Sequence, residues 1–468
     1  MKKILSFSLL ILMLASLSLS SCTFLPTAQQ NNPQPGTQPE ELSATEVMDS
    51  IIEKMDRVNS YEAEGEQEII IYANSKKMTI DASSQTIVVQ EADSYFYNYG
   101  TMTMTYDGIK IDAESIEAFD GENYFYSYTY DGKRSAFYSE LSSAEFDSFY
   151  ELTSENKSVL NGYKQISHVK TADGRYIVTL EKYDKRTVDV ANSLLGLPAE
   201  DGGGRISDIK VSIEADADFY IDYVTVEYIF TDDSFSGKEV TSYKKYGTAQ
   251  KNWGNLDKVD YNEVSDARAL QLYINLLIDR QLVQNGEFSF FTAQAVTVAG
   301  NRTTQRETDR INYGFDDDGY YFDVDANVNG QEINVSYKGV TYQINGNVQN
   351  DTDYTDDTAR TFINGLIDPF GFTSADATDI TTYQQSSKTI KYSIVLDSVN
   401  GKLADEIRAI YSNAGAVYSN ADIVFSFTVR ENEIIYTAYK IQSTGFVIQG
   451  NQKYDMTLNI ETSADFFK

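Results

Sequence analysis

The sequence predicts an α+β protein built from two tandem units, each based on an antiparallel sheet. Apolar and polar residues alternate with a period of two over most of the chain, which is the pattern of strands with one buried face. The composition agrees, with Tyr 35 and Phe 24 against Pro 6, because aromatic rings pack well on a pleated surface and proline interrupts its ladder. One order of helices and strands also occurs twice along the chain.

The first 21 residues predict an export signal that is removed. Lys2 and Lys3 precede an apolar run over residues 4–19, which is too short to span a bilayer comfortably. The run ends in Leu19-Ser20-Ser21-Cys22, which resembles the bacterial lipobox. The resemblance implies that the Cys22 thiol accepts a diacylglyceryl group, that cleavage follows Ser21, and that the new amine is acylated. The alternative is an ordinary secretory signal with a cysteine near its cleavage site.

Residues 22–42 predict a disordered tether behind the lipidated Cys22. They contain four of the six prolines together with Gln, Asn and Thr, and they offer nothing that could bury a core. Cys22 is the only cysteine, so the chain has no internal disulfide and its stability must come from core burial.

The first predicted unit covers residues 43–250. A helix carries Val47, Met48, Ile51, Ile52, Met55 and Val58 on one face, with Ser43 or Thr45 as its cap. Strands follow over 65–73, 77–90, 94–106, 109–119 and 122–138, with Asp-Gly hairpin turns such as Asp107-Gly108 and Asp131-Gly132. A helix at 142–152, a hairpin over 163–183, a helix at 186–196 and strands at 206–217, 219–231 and 238–247 complete the unit.

The second predicted unit covers residues 262–468 and repeats this order. A helix carries Ala267, Leu270, Ile274, Leu277 and Ile278. Strands follow over 287–299, 309–317, 319–328, 331–337 and 340–346, then a helix at 356–367, a hairpin over 378–397, a helix at 402–412 and strands at 421–430, 432–447 and 452–462. The stretch Asp208–Ser212 aligns with Asp422–Ser426. We interpret the halves as a tandem duplication; two unrelated α+β domains are the alternative.

The lipobox, the polar tether and the order helix, meander, small helices and long closing strands resemble the LolA-like family of lipoproteins. They also resemble uncharacterised lipoproteins of Gram-positive and wall-less bacteria. The resemblance covers residues 43–250 and 262–468. It implies that each unit is a curved open half-barrel, with helices over a concave face that holds an acyl chain or another hydrophobic molecule.

Charge and residue types exclude several classes of function. The net charge of −32 disfavours binding to nucleic acid, because a phosphate backbone requires basic patches. The single histidine, His168, lies on a predicted strand, and we interpret it as a structural residue rather than a catalytic one. No motif calls for a cofactor or a metal. We therefore expect a protein that is not an enzyme.

Three acidic segments are better explained by local structure than by ligand binding. Asp316-Asp317-Asp318-Gly319 departs from an EF-hand loop and predicts a hairpin turn. Asp351, Asp353, Asp356 and Asp357 precede a helix and predict caps. Asp201-Gly202-Gly203-Gly204 predicts a loop.

The leading functional hypothesis is a lipoprotein anchored by Cys22 on the extracytoplasmic face of a cell membrane, which binds a hydrophobic or amphipathic ligand such as lipid. The alternative is an interaction or adhesion module that binds protein or glycan through tyrosine-rich sheet faces, such as Tyr95-Phe96-Tyr97-Tyr99 and Tyr124-Phe125-Tyr126-Tyr128. The oligomeric state stays open. The residues predicted to line a ligand pocket are Ile51, Met55, Ile209, Val211, Ile274, Ile278, Ile423 and Phe425, for which an ordinary core is the alternative.

Overall fold

The computed structural model describes residues 42–73, 76–90, 94–155, 162–194, 205–232, 234–251, 256–282, 285–316, 319–339, 341–349, 354–368, 371–449 and 451–467. Over these residues the protein is mostly β, with two large antiparallel sheets and few helices. The chain divides into two compact units, Met1–Asn262 and Glu263–Lys468.

In the first unit, helix α1 is followed by a six-strand meander, helix α2, a hairpin, helix α3 and three closing strands. The bounds are α1 Ala44–Met55, β1 Ser60–Ala73, β2 Lys76–Val89, β3 Tyr95–Tyr106, β4 Ile109–Phe119, β5 Asn123–Tyr130, β6 Lys133–Glu140, α2 Ser143–Glu155, β7 Tyr163–Lys170, β8 Tyr176–Tyr183, α3 Lys185–Leu194, β9 Ile206–Ala215, β10 Ile221–Phe230 and β11 Ser236–Lys244. A 3-10 helix, Lys258–Asp260, and the short strand β12, Asn262–Glu263, follow.

The second unit has the same succession of elements. Its bounds are α4 Ala269–Leu282, β13 Asn285–Val298, β14 Asn301–Asp316, β15 Gly319–Val328, β16 Gln331–Lys338, β17 Thr341–Ile344, β18 Asn347–Val348, α5 Asp356–Ile367, a 3-10 helix Ser374–Asp376, β19 Ala377–Ser386, β20 Thr389–Leu396, α6 Lys402–Asn413, β21 Ala416–Arg430, β22 Glu433–Gln449 and β23 Gln452–Phe467.

The two sheets have the same strand order. The first runs β12-β6-β5-β4-β3-β2-β1-β11-β10-β9-β8-β7, and the second runs β18-β17-β16-β15-β14-β13-β23-β22-β21-β20-β19. In both units the first strand pairs with the last of the three closing strands, β1 with β11 and β13 with β23. This pairing joins the meander and the closing strands into one sheet. Neither sheet is closed, since each order ends in two edge strands.

Local signals in the sequence explain where the elements begin and turn. Ser43 caps α1 in a capping box, in which its hydroxyl accepts from the Glu46 amide and its own amide donates to the Glu46 carboxylate at 2.8 Å. The predicted Asp107-Gly108 and Asp131-Gly132 hairpins are confirmed. Both residues of each pair have positive φ (51° and 79°, 48° and 76°), as a two-residue turn between right-twisted strands requires.

Strand register determines which side of each sheet a residue faces, because directly paired residues project to the same side. In the second unit the three helices contact one side. Tyr273 of α4 packs on Phe425 of β21, with ring centroids 4.7 Å apart. Phe362 of α5 packs on Phe322 of β15 at 5.3 Å, and Tyr411 of α6 lies 3.2 Å from the Ser443 hydroxyl of β22. We call this side the helix side.

In the first unit, helix α2 defines the corresponding side. Phe146 stacks on Phe119 with centroids 4.3 Å apart, and Phe149 meets Tyr124 edge-on at 5.8 Å. Phe119 and Tyr124 are paired in register on β4 and β5. The register places Val211 of β9 on the same side as these two rings.

Most predicted strands lie within a few residues of the observed ones, with one large difference. The sequence predicts a strand over 309–317, whereas β14 begins at Asn301. The additional residues are exposed on both faces, so they carry no alternation for a sequence reading to detect. They are held instead by backbone pairing with β13.

Two glycines are expected to respond to alanine substitution in opposite directions. A Cβ at Gly445 of β22 would overlap the Val417 carbonyl oxygen and the Tyr411 ring. We predict that Gly445→Ala lowers the free energy of unfolding by about 1–3 kcal/mol. Gly365, inside α5, has open space around its Cβ position, so Gly365→Ala should raise stability by about 0.5–1 kcal/mol. Denaturant unfolding checks both; equal effects would contradict the packing described here.

Candidate functional site

The predicted anchor residues Leu19, Ser20, Ser21 and Cys22, with the tether up to residue 41, lie outside the described residues. Among the residues that are described, the search for a helix long and apolar enough to cross a bilayer returned none.

The predicted pocket residues are mostly buried in the two cores. Ile51 and Met55 face inward from α1, Ile209 and Val211 lie on the helix side of β9, and Ile423 and Phe425 lie on the helix side of β21; all six are below 9 % exposed. Ile274 of α4 is half-buried, and the side chain of Ile278 lies outside the described set. The structure therefore brings together two pairs of these residues, Ile209 with Val211 on β9 and Ile423 with Phe425 on β21. The members of each pair are two positions apart on one strand and face the same side of the sheet.

In the second unit, the contact between α4 and the sheet is made by a residue that the sequence did not single out. Tyr273 packs against Phe425, Phe427 and Phe372 at 4.7, 5.2 and 6.1 Å. Its hydroxyl is buried and has no hydrogen-bond partner in the part of the chain that the structure describes. Burial, and secondarily the Asp368 carboxylate, raises the pKa of Tyr273 well above its usual value, so the hydroxyl stays protonated and can donate.

Helix α4 also buries a polar pair. Gln271 and Asn275 are one helical turn apart, and the Gln271 amide donates to Asn275 Oδ1 at 3.2 Å. Asn275 is only 2 % exposed, yet none of the described residues offers its Nδ2 a hydrogen-bond partner. Leu272 and Tyr273 are also buried. Helix α4 therefore has buried residues on more than one of its faces, unlike an amphipathic helix at the surface.

A buried carboxyl group lies on the helix side of β14. Asp309 is paired with Phe290 of β13 and Ala326 of β15 and is 3 % exposed. Within the described ranges its Oδ1 has no hydrogen-bond partner. Desolvation, together with the negative charge of Glu307, raises the pKa of Asp309 to about 7. This group can therefore carry or release a proton near neutral pH.

The equivalent region of the first unit is also polar. Gln67 of β1 and Glu239 of β11 are directly opposed, and the Gln67 amide donates to the Glu239 carboxylate at 3.4 Å. Gln67 Oε1 and the Ser84 hydroxyl of β2 have no hydrogen-bond partner among the residues described, although both residues are more than nine-tenths buried. Ser84 faces the same side as Gln67, next to Gly65 and Gly100, so the side chains around it are small.

The aromatic runs are divided between the two sides of the first sheet. Phe96, Tyr124, Tyr126 and Tyr128 are buried on the helix side, whereas Tyr95, Tyr97 and Tyr99 are half-buried on the other. On that other side Phe125 meets Tyr261 edge-on at 5.2 Å, and Tyr97, Tyr138 and Leu256 pack around them. Part of the tyrosine-rich face is thus covered by the segment before β12.

The residues considered for catalysis and for metal binding, His168 and the Asp316–Gly319 turn, take part in local contacts. His168 of β7 is half-buried, with its ring 6.5 Å from that of Tyr176. Asp316 begins the predicted hairpin turn and pairs with Lys338 at 2.9 Å; Asp317 and Asp318 lie outside the described set. Within the described residues, no group of three or more His, Cys, Asp and Glu could hold a metal ion.

The acidic segment before α5 was only partly understood from sequence. Thr355, not an aspartate, is the N-cap of α5. Asp356 instead accepts from the Tyr337 hydroxyl at 2.7 Å and from the Tyr320 amide at 3.1 Å, which ties the helix to β15 and β16. Asp351, Asp353 and Asp201–Gly204 lie outside the described residues, so their roles stay predictions.

Sequence analysis missed the buried polar residues Gln67, Ser84, Glu239, Asn275 and Asp309. A usable signal existed for the four on strands: each occupies an inward position of a period-two pattern, as Asp309 does before Ile311 and Tyr313. Asn275 gave no such signal, because a polar residue in an amphipathic helix is ordinarily placed toward water.

Comparison with known proteins adds little. No protein-family model matches the chain, and no curated protein matches it. Solved structures with some likeness include a β-barrel-like protein of the DUF1849 domain from Brucella abortus (8 % identity, 40 % of this chain and 99 % of that one, TM-score 0.17). Others are the translocator domain of the autotransporter NalP from Neisseria meningitidis (7 %, 90 % and 93 %, 0.12) and a DUF3598-family protein of unknown function from Nostoc punctiforme (8 %, 86 % and 96 %, 0.11). At such TM-scores these likenesses carry no argument.

Asp309 should make stability depend on pH. Between about pH 4 and 7 the folded protein keeps a proton on Asp309 that the unfolded chain releases, so the free energy of unfolding falls as pH rises through this window. We predict that Asp309→Asn flattens this fall and is more stable than the wild type at pH 8. Denaturant unfolding at several pH values measures it, with the exposed Asp455→Asn as control. Identical pH profiles for wild type and Asp309→Asn would contradict the prediction.

Proposed function

We propose that this protein is a lipoprotein, anchored through Cys22 on the extracytoplasmic face of a cell membrane, which binds an amphipathic or hydrophobic ligand such as lipid and catalyses no reaction. In this proposal it is a LolA-like protein with two half-barrel units, and the helices of each unit cover the concave face of its sheet. The ligand lies between the helices and the sheet.

The observation that carries the proposal is a set of buried polar atoms that have no hydrogen-bond partner among the described residues and lie between apolar walls. In the second unit these are the Tyr273 hydroxyl, Asn275 Nδ2 and Asp309 Oδ1. Each unsatisfied buried group costs about 1–3 kcal/mol, so natural interiors supply a partner, either water or a ligand. The neighbouring walls are apolar, with Phe290 and Phe425 both buried. A ligand with an apolar body and a polar end matches both features.

The repeated architecture supports a duplicated binding unit. The aligned stretches Asp208–Ser212 and Asp422–Ser426 fall on β9 and β21, which occupy the same place in the two sheet orders. Starting from Val211 and Phe425, the register crosses equivalent strands through residues that are buried, except for the half-buried Thr292. In the first unit this row is Leu180, Val211, Val226, Glu239 and Gln67. In the second it is Ile394, Phe425, Tyr439, Thr462 and Thr292.

A second candidate function rests on the opposite side of the first sheet. Tyr95, Tyr97 and Tyr99 project there at alternate positions of β3 and are half-buried. Tyrosine offers a large rigid contact surface with a hydrogen-bonding hydroxyl, as interaction surfaces commonly do. This arrangement favours an interaction or adhesion module that binds protein or glycan.

The anchor is tested by Cys22→Ala. Two or three acyl chains hold a protein firmly at a bilayer, whereas the acidic surface gives it no electrostatic attraction to anionic lipid. We predict that wild type fractionates with membranes and that Cys22→Ala does not, by immunoblot of washed membranes. Retention of the processed variant in the membrane fraction would contradict the anchor.

The ligand is tested by native mass spectrometry and organic extraction of the purified full-length protein. We predict a non-covalent amphiphile released by extraction, distinct from the lipid that stays bonded to Cys22. Tyr273→Phe and Asp309→Asn should lower the amount retained, and the exposed-site control Asp455→Asn should not. If the extract contains no such compound, the interaction module becomes the better function.

A further inference from the structure

The first unit has a polar groove that the ligand hypothesis does not use. It has a volume of about 560 Å³ and lies where the β4–β5 turn, the end of β6 and the start of α2 meet. The residues that matter for its chemistry are Gly121, Glu122, Asn123, Glu140, Glu145 and Lys258. It opens at the surface. The elements α4 and β14, on which the ligand hypothesis rests, belong to the second unit.

Hydrogen bonds from the backbone fix the turn that forms one wall of the groove. Asp120 Oδ1 accepts from the amides of Glu122 and Asn123 at 3.0 and 2.7 Å. The Leu141 amide donates to the Glu122 carbonyl at 2.9 Å, and Asn123 is paired with Glu140 across β5 and β6. Gly121 has a φ of 101°, which favours glycine at this position. The wall is therefore ordered without a ligand.

The groove presents acceptors that lack donors. Asn123 is 3 % exposed, and its Nδ2 donates to both oxygens of Asp120 at 3.3 Å. Its Oδ1 is buried and accepts no hydrogen bond from any described residue. Within the described residues the carboxylates of Glu122 and Glu140 make no ion pair or side-chain hydrogen bond.

The other two charged residues of the groove are already engaged. Glu145 accepts from the Ser142 hydroxyl and amide as part of the α2 cap. The Lys258 ammonium lies 5.1 Å from the centre of the Tyr138 ring. Three carboxylates against one ammonium leave the groove negative, so its unmet requirement is for a cationic donor.

We propose that this groove binds an arginine side chain of a polypeptide partner. A guanidinium is planar and carries five donors, so it can serve the Asn123 amide oxygen and the Glu122 and Glu140 carboxylates together, which a single ammonium does less well. Its aliphatic stem can lie on Leu141, which also lines the groove. The opening at the surface admits a side chain while its backbone stays outside, and the net charge of −32 attracts a basic partner.

The test is fluorescence anisotropy with the full-length protein and short labelled peptides, acetylated and amidated, that differ only in one residue. We expect saturable binding of the arginine peptide and about tenfold weaker binding of the citrulline peptide, because citrulline has the shape of arginine without its charge. Glu122→Gln and Glu140→Gln should each weaken the arginine peptide about fivefold. Glu66→Gln, which removes an equal charge from an exposed position on β1, should leave it within about twofold. Thermal melts establish that each variant is folded.

Three results would overturn the proposal. Equal affinity for the arginine and citrulline peptides would show that the groove does not recognise a cation. An equal loss in Glu66→Gln would show attraction to the whole acidic surface rather than to this groove. Competition by free arginine amide as strong as by the peptide would identify a small molecule, not a polypeptide, as the ligand.

Discussion

Everything in each unit depends on the pairing of its first strand with its last. β1 with β11, and β13 with β23, join the start of each meander to the last closing strand, and they are paired over 9 and 12 residues respectively. A shift of one residue in this register would turn every side chain of the closing strands to the opposite side. Val211 and Phe425 would then leave the cores, and the helices would lose the surfaces on which they pack.

The register also explains why polar atoms are buried on the helix side. The residues opposite one another at these central pairs are polar in both units: Gln67 with Glu239, and Thr292 with Thr462, whose hydroxyls lie 3.1 Å apart. A polar centre between apolar flanks limits the register, because a slipped strand would bury these groups against hydrocarbon. The strand register places Asp309 beside Phe290, whereas Asn275 and the Tyr273 hydroxyl are buried by the packing of α4; the proposed ligand function rests on these three groups. The groove beside Asn123 is shaped instead by the turn that the Asp120 carboxylate holds, and its residues are not among those of the proposed ligand site.

Much of this architecture could be predicted from sequence, because its signals are local. The alternation of residues 95–106, the Asp-Gly turns and the Ser43 capping box depend only on nearby residues, and a helix over 356–367 agrees with α5 residue for residue. The start of β14 could not be predicted, since Asn301–Arg306 is exposed on both faces. Nor could the start of α4 at Ala269, because the residues before it form a 3-10 helix and the strand β12. The partners of Asp356, which are Tyr320 and Tyr337, come from two strands distant in sequence, so its role requires the tertiary structure.

The pairing of β13 with β23 is the claim to test most directly. In a Cys22→Ser background, which leaves no other thiol, the double substitution Thr292→Cys and Thr462→Cys places two thiols where the hydroxyls now lie 3.1 Å apart. We predict a quantitative intramolecular disulfide, seen as a cross-linked peptide pair by mass spectrometry. Thr292→Cys with Glu461→Cys should not cross-link, because Glu461 projects to the opposite side. Failure of the first pair to oxidise, or preferential oxidation of the second, would contradict the register and the account built on it.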